Sequence, residues 1–274
     1  MTQNLIGISG KIGSGKDSVG NILLYLAAKK YNFPGLLNKD TKFTTSQIIN
    51  HPYDNGTHTK WHIKKFAFKL KLITSILTGC PINELENQQF KNSYLSDDWN
   101  YSGSDKKGIF TYHSEYSQEK IKQYTYREFL QRLGTEAIRN QIHPNTWVNA
   151  LFADYKINNP KEGKTYSTLD MPNWIITDVR FPNEAKAIKD RGGLVIKVDR
   201  PNYCPTCKID KTINQGGLCT RTDCPSIKLV HESETALDAW EFDYIIHNTS
   251  TSDALIHKVE IMVDLFQSLG NINL

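Results

Sequence analysis

The stretch GISGKIGSGKDSVG, residues 7–20, contains almost the full pattern of a phosphate-binding loop. That pattern is Gly, four residues, Gly-Lys and then Ser or Thr, and it is met by Gly10, Gly15 and Lys16. Asp17 stands where the hydroxyl residue is usual, so the first serine after the lysine comes one place late. The stretch predicts an anion-binding turn with an unusual residue at the position that normally contacts a metal ion.

The sequence on both sides of this stretch supplies the context that such a loop needs. Asn4–Ser9 reads as a short buried strand, and residues 17–30 place apolar side chains along one side of a helix. Glycine turns let backbone N–H groups face phosphate oxygens, and the helix start adds its positive end to the same site. The predicted cofactor-binding residues are Gly10, Gly13, Ser14, Gly15, Lys16, Asp17 and Ser18.

Asp17 has two interpretations as a possible ligand of Mg²⁺. Its carboxylate suits the ion directly or through water, or else Ser18 binds the ion while Asp17 stabilises the first helical turn. Asp178 ends the predicted strand WIITD, where it can orient the same ion through water or can cap the turn before Pro182. Arg180 follows two residues later and is available to phosphate.

Length and composition describe a chain that can bury a large core. The 274 residues are 39% hydrophobic and 23% charged, and the net charge is +4. This charge suits small polyanions and is weaker than that of a dedicated nucleic-acid-binding protein, so a nucleic-acid partner is not favoured. The sequence shows no membrane span and no secretory pattern, and we therefore expect a cytoplasmic protein.

Predicted strands alternate with predicted helices along the chain. This order predicts an α/β fold of three layers, with a five-stranded parallel sheet covered by helices on both faces. We expect one domain, 1–274, with an inserted region at about 81–160 and a cysteine-rich lid at about 201–230. The predicted strands are NLIGIS, WHIKKF, WIITD, LVIKVD and DYIIHN.

Four of the five cysteines lie in one short segment: Cys204, Cys207, Cys219 and Cys224. Two short cysteine pairs are typical of a tetrahedral zinc site, and a segment this poor in large apolar residues gains stability from a metal. The second pair has four residues between its cysteines, which is looser than the usual two, and the alternative is four reduced thiols. The prediction is a structural zinc ion that stiffens the lid.

Seven segments form a specific combination: SGKIGSGKDS, KKFAFKLK, YREFLQRLGTEAIRN, HPNTWVNALFADY, WIITDVRFPNEAKAIKDRGG, VIKVDRP and HESETALD. Together they resemble the phage deoxynucleoside monophosphate kinases. The resemblance implies a P-loop nucleotide kinase fold that uses ATP and Mg²⁺ and phosphorylates a deoxynucleoside monophosphate. It also implies that the Gly-Lys-Asp-Ser form of the loop is a family trait, and that a phage-encoded enzyme acts in the host cytoplasm.

Phosphoryl transfer needs positive charge around the moving group, and guanidinium groups bind phosphate at two points. With the resemblance, the expected catalytic residues are Lys16, Asp178, Arg180 and Arg200. Asn248, after the fifth strand, resembles the loop that frames adenine in related kinases. The expected acceptor-binding residues are Arg127, Gln131, Arg132, Thr135, His231 and Glu232.

Several of these assignments have a structural alternative. Trp147 can stack on a base, but its helical spacing with other apolar residues favours the core. Glu232 or Glu234 can hold the arginines or can simply begin a helix, and Asn248 can form a turn.

The predicted activity is ATP-dependent conversion of deoxynucleoside monophosphates to diphosphates. Two other functions stay open: a P-loop kinase for another small phosphorylated acceptor, and a zinc-ribbon ATPase that depends on nucleic acid. The base and sugar of the acceptor cannot be read from the sequence, and a homodimer stays open.

Overall fold

The computed structural model describes most of the chain. Its described residues are 4–30, 44–50, 60–99, 101–102, 121–157, 171–200, 203–204, 209–210, 232–272 and 274. The chain divides into two compact units, which are treated separately: Met1–Phe66 with Leu151–Leu274, and Ala67–Ala150. The predicted single domain with an inserted region stays a prediction.

Five strands of the first unit form one sheet. They are β1 Leu5–Ser9, β2 Trp61–Lys64, β3 Asn173–Val179, β4 Leu194–Asp199 and β5 Tyr244–His247. Their order across the sheet is β2-β3-β1-β4-β5, and every neighbouring pair is parallel. The predicted five-stranded parallel sheet is confirmed, and the carboxyl ends of its strands share one edge.

The helix predicted over residues 17–30 is present as Lys16–Lys30, and both units contain further helices. The α-helices of the described chain are α1 Lys16–Lys30, α2 Thr45–Asn50, α3 Phe68–Thr78, α4 Gln88–Lys91, α5 Tyr126–Gln131, α6 Thr146–Phe152, α7 Pro182–Lys189 and α8 Ser252–Ser268. Short 3₁₀ turns cover Ile82–Glu86, Asp97–Trp99 and Glu232–Glu234. Two-residue ladders pair Tyr101–Ser102 with Ile121–Lys122, and Tyr203–Cys204 with Ile209–Asp210.

Helices cover both faces of the sheet, as its fully buried central strand requires. Ile6 and Ile8 of β1 belong to the same apolar cluster as the side chains of α1 and α8. Gly7 lies between them and points to the other face, because successive strand residues alternate. A Cβ added at Gly7 would lie 2.6 Å from Cδ1 of Ile188 in α7. The three-layer arrangement is therefore present in the first unit.

Helix α8 completes the core on the α1 side of the sheet. Thr251 caps its start by accepting the N–H of Ala254 at 3.3 Å. Full burial of one aliphatic or aromatic side chain contributes about 1.5–3 kcal/mol to the free energy of folding. The buried face of α8 is therefore a main source of stability for the helices on this side of the sheet. Its buried side chains recur at helical spacing and are Leu255, Val259, Met262, Val263 and Phe266.

A β-bulge interrupts β3 beside the glycine loop. Thr177 and Asp178 together stand opposite a single residue of β1, Ile8. A bulge bends its strand and redirects side chains, and bulges are common next to active sites. Thr177 faces α1, since a Cβ added at Gly20 of that helix would lie 2.6 Å from its Cγ2.

In the second unit, hydrogen bonds between residues close in sequence cap the end of α3 and the start of α5. Helix α3 ends at Gly79, which has a φ of 71° and donates its N–H to the carbonyl of Ser75. Thr125 and Glu128 form a capping box at the start of α5, each accepting the backbone N–H of the other.

The helix predicted from YREFLQRLGTEAIRN is present, but its second half is wider than an α-helix. Residues Arg132–Arg139 are π-helical, and Asn140 donates its N–H to the carbonyl of Thr135, five residues back. Gly134 is buried there, and a Cβ at that position would lie 2.6 Å from Cδ2 of Leu70. Such turns are rare and are frequent at functional sites.

Several predicted features lie outside the described residues. These are His231, Cys207, Cys219, Cys224 and most of the predicted lid, while Cys204 is described only as part of a two-residue strand. Within the ranges that the structure covers, no helix is both long and apolar enough to cross a bilayer.

Candidate phosphate-binding site

The loop between β1 and α1 follows the carboxyl end of the central strand. Gly10, Gly13 and Gly15 have φ values of 150°, 77° and 100°, which residues with a Cβ rarely adopt. At Gly10 a Cβ would also lie 2.4 Å from the carbonyl oxygen of Val198. The three glycines are therefore required by this turn, and a turn of this kind presents backbone N–H groups to an anion.

Lys16 begins α1 and is only 8% exposed. Its Nζ donates to the carbonyl oxygens of Gly10 at 2.6 Å and Lys11 at 2.9 Å. These two bonds hold the ammonium group beside the first residues of the loop. A lysine side chain beside the loop is what the sequence pattern predicts, and its contact with a phosphate group stays a prediction.

The charge of Lys16 is controlled by its surroundings. Burial, and to a smaller extent the neighbouring guanidinium of Arg180, lower the pKa of Lys16 to about 8. The carboxylates of Glu234, Asp17 and Asp178 act in the opposite direction. Lys16 is therefore a cation at neutral pH, and a bound anion would stabilise that charge.

Asn248 supports the loop from the end of β5. Its Nδ2 donates to the carbonyl oxygen of Ser14 at 2.9 Å, and its N–H donates to the carbonyl of Asp199 at 2.7 Å. Gly15 makes room for the amide, because a Cβ there would lie 2.7 Å from Nδ2 of Asn248. Asn248 therefore contacts the loop itself, and the adenine contact predicted for it stays a prediction.

The hydroxyl group of Ser14 is a second feature that fits a ligand site. Ser14 is buried, and its Oγ has no hydrogen-bond partner among the residues that the structure describes. Buried hydroxyl groups are nearly always hydrogen-bonded, so such a group in a phosphate-type loop is consistent with a site completed by an anion or water.

Asp17 is held by two residues that the sequence analysis did not single out. Its Oδ1 accepts a hydrogen bond from Thr177 Oγ1 at 2.9 Å and lies 3.1 Å from Nζ of Lys65. Desolvation acts to raise the pKa of Asp17, but Lys65, Thr177 and Lys16 outweigh it and hold the pKa below its ordinary value. Asp17 is ionised at neutral pH, and Ser18 is half-buried beside it.

Asp178 lies at the same edge of the sheet. Its Oδ1 accepts the N–H of Phe66 at 2.8 Å, which joins the bulge of β3 to the segment after β2. The turn into α7 is capped by Glu184, whose Oε2 accepts the N–H groups of Arg180 at 2.8 Å and Phe181 at 3.1 Å. Glu184 therefore caps this turn, and the role of Asp178 stays a prediction.

Arg180 is linked to the loop through Glu234. Nη1 of Arg180 bonds Oε1 of Glu234 and lies 3.4 Å from the hydroxyl of Ser233. The second carboxylate oxygen of Glu234 accepts the N–H of Ile12, in the loop, at 2.8 Å. Of the two interpretations of this acid, holding an arginine agrees with its contacts.

Arg200 and Glu232 are two other predicted site residues, and the structure gives the positions of both. Arg200 directly follows β4 and is half-buried at the edge where the loop begins. Glu232 is exposed, and its carbonyl bonds Thr235 and Ala236 within its own turn. Roles for these two side chains stay predictions.

Four of the six predicted acceptor-binding residues lie on one helix of the second unit: Arg127, Gln131, Arg132 and Thr135. Nε and Nη2 of Arg127 donate to the amide oxygens of Asn92 at 2.9 Å and Gln88 at 2.8 Å. Nη1 of Arg132 bonds the hydroxyl of Tyr124, and its guanidinium carbon lies 5.0 Å from the centre of that ring. Both arginines are thus held in defined directions by side chains of their own unit.

The other two residues of this group, Gln131 and Thr135, are on the same helix. Gln131 and Thr135 are half-buried, and Arg132 also lies 3.6 Å from the exposed carboxylate of Glu136. Exposed pairs at this spacing contribute only about 0.3–0.5 kcal/mol, so Glu136 holds Arg132 weakly.

Trp147 is a core residue, as its spacing favoured. It is 5% exposed, and its Nε1 donates to the carbonyl of Gly134 at 2.8 Å. The bond ties α6 to the π-helical segment. An indole buried in this way has its ring engaged by the protein and is not presented to a base.

The carboxylate oxygens near the loop suit a magnesium ion that also binds water and phosphate. They suit less well a metal ion whose ligands all come from the protein. Over the described ranges, no group of three or more His, Cys, Asp and Glu residues is arranged to hold a metal. Asp17 and Asp178 offer carboxylate oxygens near Lys16, and Mg²⁺ usually takes one or two carboxylates together with water and phosphate. The predicted zinc ligands lie largely outside the described residues.

Comparison with known proteins identifies the family of this chain. The family model for deoxynucleotide monophosphate kinases matches residues 4–227. A protein of Acanthamoeba polyphaga mimivirus, provisionally named a deoxynucleotide monophosphate kinase, is 37% identical over 84 residues, which are 28% of this chain and 40% of the relative's length. The family match covers most of the chain and includes the loop, both ends of the sheet's bulged strand and the helix of the second unit. The chain belongs to the deoxynucleotide monophosphate kinase family.

Proposed function

We propose that this protein transfers the terminal phosphoryl group of ATP to a deoxynucleoside monophosphate. The observation that carries the proposal is the glycine turn with the buried ammonium group of Lys16, in a chain of this family. The backbone N–H groups of a glycine turn and a buried cation are complementary to a triphosphate tail. The products would be ADP and a deoxynucleoside diphosphate.

The reaction requires little covalent work from the protein. An oxygen of the acceptor phosphate forms a bond to the γ-phosphorus of ATP, while the bond from that phosphorus to the β–γ bridging oxygen breaks and leaves its electron pair on ADP. The protein aligns the two anions and stabilises the charge that moves. Lys16 and Arg180 would supply positive charge at the loop, and Arg200 is a further candidate.

Magnesium belongs to this proposal as the partner of ATP. A bound Mg²⁺ would neutralise negative charge on the phosphate groups of ATP. Asp17 would hold it directly or through water and Asp178 through water, with Ser18 as the alternative to Asp17. Since Lys65 lies 3.1 Å from Oδ1 of Asp17, a metal ion at that oxygen would compete with an ammonium group.

The acceptor is proposed to bind the second unit through Arg127 and Arg132, with Gln131 and Thr135 beside them. The support is that both guanidinium groups are already held by hydrogen bonds, so less side-chain entropy would be lost when phosphate binds. His231 and Glu232 stay in the proposal on the family resemblance alone.

A structural zinc ion is proposed for Cys204, Cys207, Cys219 and Cys224, on the cysteine spacing alone. Metal analysis of the purified protein should find about one zinc per chain, as a four-thiolate site requires. Cys204→Ser should lose that zinc, whereas Cys80→Ser, at a buried free cysteine, should keep it. Equal zinc content in both variants would contradict the proposal.

The function is tested by a coupled assay of ADP formation with a panel of acceptors. The panel contains every deoxy- and ribonucleoside monophosphate, and each product is identified as a diphosphate by chromatography. We expect ADP formation that needs a deoxynucleotide and Mg²⁺. Activity only with other small phosphorylated molecules would make this a kinase of a different acceptor, and ATP turnover raised by single-stranded DNA but by no monophosphate would make it a nucleic-acid-dependent ATPase.

A further inference from the structure

We infer that Glu234 is a positioning residue that fixes the guanidinium group of Arg180 to the phosphate loop. The inference rests on the proposed function and adds a residue to its machinery. Glu234 would act through Arg180 and would not touch the nucleotide.

The first argument is the bonding of the carboxylate. One oxygen bonds Nη1 of Arg180 and the other accepts the N–H of Ile12 at 2.8 Å. Both partners are donors, so the residue between them must accept at each end. A carboxylate does this, whereas a carboxamide has only one accepting oxygen. The chemistry of the position therefore selects Glu over its isostere Gln.

The second argument is that Arg180 is fixed at its main chain as well. The buried carboxylate of Glu184, 2% exposed, accepts the N–H of Arg180 at 2.8 Å. Both side-chain bonds of Arg180 to described residues use Nη1, to Glu234 and Ser233. The remaining donors of the planar fork, at Nε and Nη2, are the ones with which a phosphate could be bound.

The third argument is electrostatic. Arg180 and Lys16 are close enough for their charges to disfavour each other, and Glu234 offsets that repulsion. The side chains of Arg180 and Glu234 are 29% and 12% exposed, so their attraction is weakly screened by water. Two cations can then be held near one loop before the anionic ligand arrives, which is the kind of preorganisation that phosphoryl transfer needs.

The fourth argument is the place of Glu234 in the chain. It ends the turn Glu232–Glu234 and bonds Ile12 across 222 positions of sequence. A contact this remote does not follow from local folding. The bond places the turn Glu232–Glu234 beside the loop that follows β1, at the carboxyl edge of the sheet.

The test is a double-mutant cycle in the full-length protein with Arg180→Ala, Glu234→Ala and both together. We expect Glu234→Ala to lower kcat by about 10²-fold, as for loss of one preorganised donor, with little change in KM for the acceptor. If Glu234 acts through Arg180, the double variant should be no slower than Arg180→Ala. Additive losses, or an unchanged kcat in Glu234→Ala, would overturn the inference.

Two further variants separate positioning from folding. Glu234→Gln keeps the shape and loses one of the two accepting ends, so we expect a lower kcat and faster hydrogen exchange in the peptide that contains Ile12. Glu241→Gln, the same change at an exposed acid, should alter neither. Unchanged exchange and kcat in Glu234→Gln would also overturn the inference. A wild-type protein that phosphorylates no acceptor would instead refute the proposed function, on which this inference depends.

Discussion

The glycine loop of the first unit and the helix of the second unit that is proposed to bind the acceptor are held in place in different ways. In the loop region, Ser14, Ile12 and Asp17 are bonded by side chains 234, 222 and 160 positions away in the sequence. On the helix, Arg127 is bonded by residues 39 and 35 positions away, and Arg132 by a residue 8 positions away. One site depends on sheet topology, while the other is organised by a short compact segment.

Because of this difference, we expect substitutions in the two regions to change different kinetic constants. The loop region contains the cation whose charge depends on burial and on four other charged groups, so changes there should alter the chemical step. The helix carries arginines held by amide and hydroxyl oxygens, so changes there should alter how tightly the acceptor binds.

The largest effect is expected from Lys16→Ala. Removal of a buried cation from the phosphate site should lower kcat/KM by at least about 10³-fold, the scale seen when a transition-state charge is lost. The coupled assay measures this, and Lys29→Ala, at the exposed end of the same helix, is the control that should remain active. Wild-type activity in Lys16→Ala would remove the loop from the mechanism and with it the contrast between the two units.

A smaller and more selective effect is expected from Arg132→Ala. A hydrogen bond to a charged group contributes about 1.5–3 kcal/mol, so KM for the deoxynucleotide should rise by roughly 10- to 100-fold while KM for ATP stays the same. Arg139→Ala on the same helix is the matched control and should leave both constants close to wild type. If Arg132→Ala changed KM for ATP instead, the assignment of the helix to the acceptor would be wrong.

The next effect concerns the metal. Asp17→Ala should raise the Mg²⁺ concentration for half-maximal activity by about 10-fold or more, as for loss of an outer ligand contact. Ser18→Ala is the companion variant, because the sequence left the choice between the two residues open. A magnesium curve that shifts only in Ser18→Ala would give the ligand role to the hydroxyl group and leave Asp17 as the partner of Lys65 and Thr177.

The sequence predicts features that depend on neighbouring residues, and it does not predict contacts that depend on sheet topology. The turn was predictable because its glycines and Lys16 are adjacent in the chain and their spacing is specific. The strands were predictable from short apolar runs. The contacts of Asp17 with Lys65 and Thr177 were not, because they require the order β2-β3-β1 and a bulge, neither of which has a local sequence signal.

The role of Glu234 and the π-helical segment are two further features that the sequence alone does not predict. Glu234 was one of two acids in HESE, and only the fold distinguishes it, through its bonds to Ile12 and Arg180. The segment Arg132–Arg139 reads as an ordinary helix, because π-helical turns are rare and a helical sequence pattern predicts an α-helix by default. Lys65 could have been noticed, because charged residues just after a parallel strand collect at the ligand-binding edge.

The smallest effect should come from Trp147→Phe, and it decides whether the second unit uses this ring for structure or for binding. The substitution removes the donor to the buried carbonyl of Gly134, so the free energy of unfolding in urea should fall by about 1–3 kcal/mol. KM for the acceptor should stay within about twofold of wild type, because a ring that is 5% exposed has no free face for a base. Trp99→Phe, at a half-buried ring of the same unit, is the comparison and should cost less. A tenfold rise in KM with unchanged stability would assign Trp147 to the base and make the acceptor site reach deeper into the second unit than its arginines indicate.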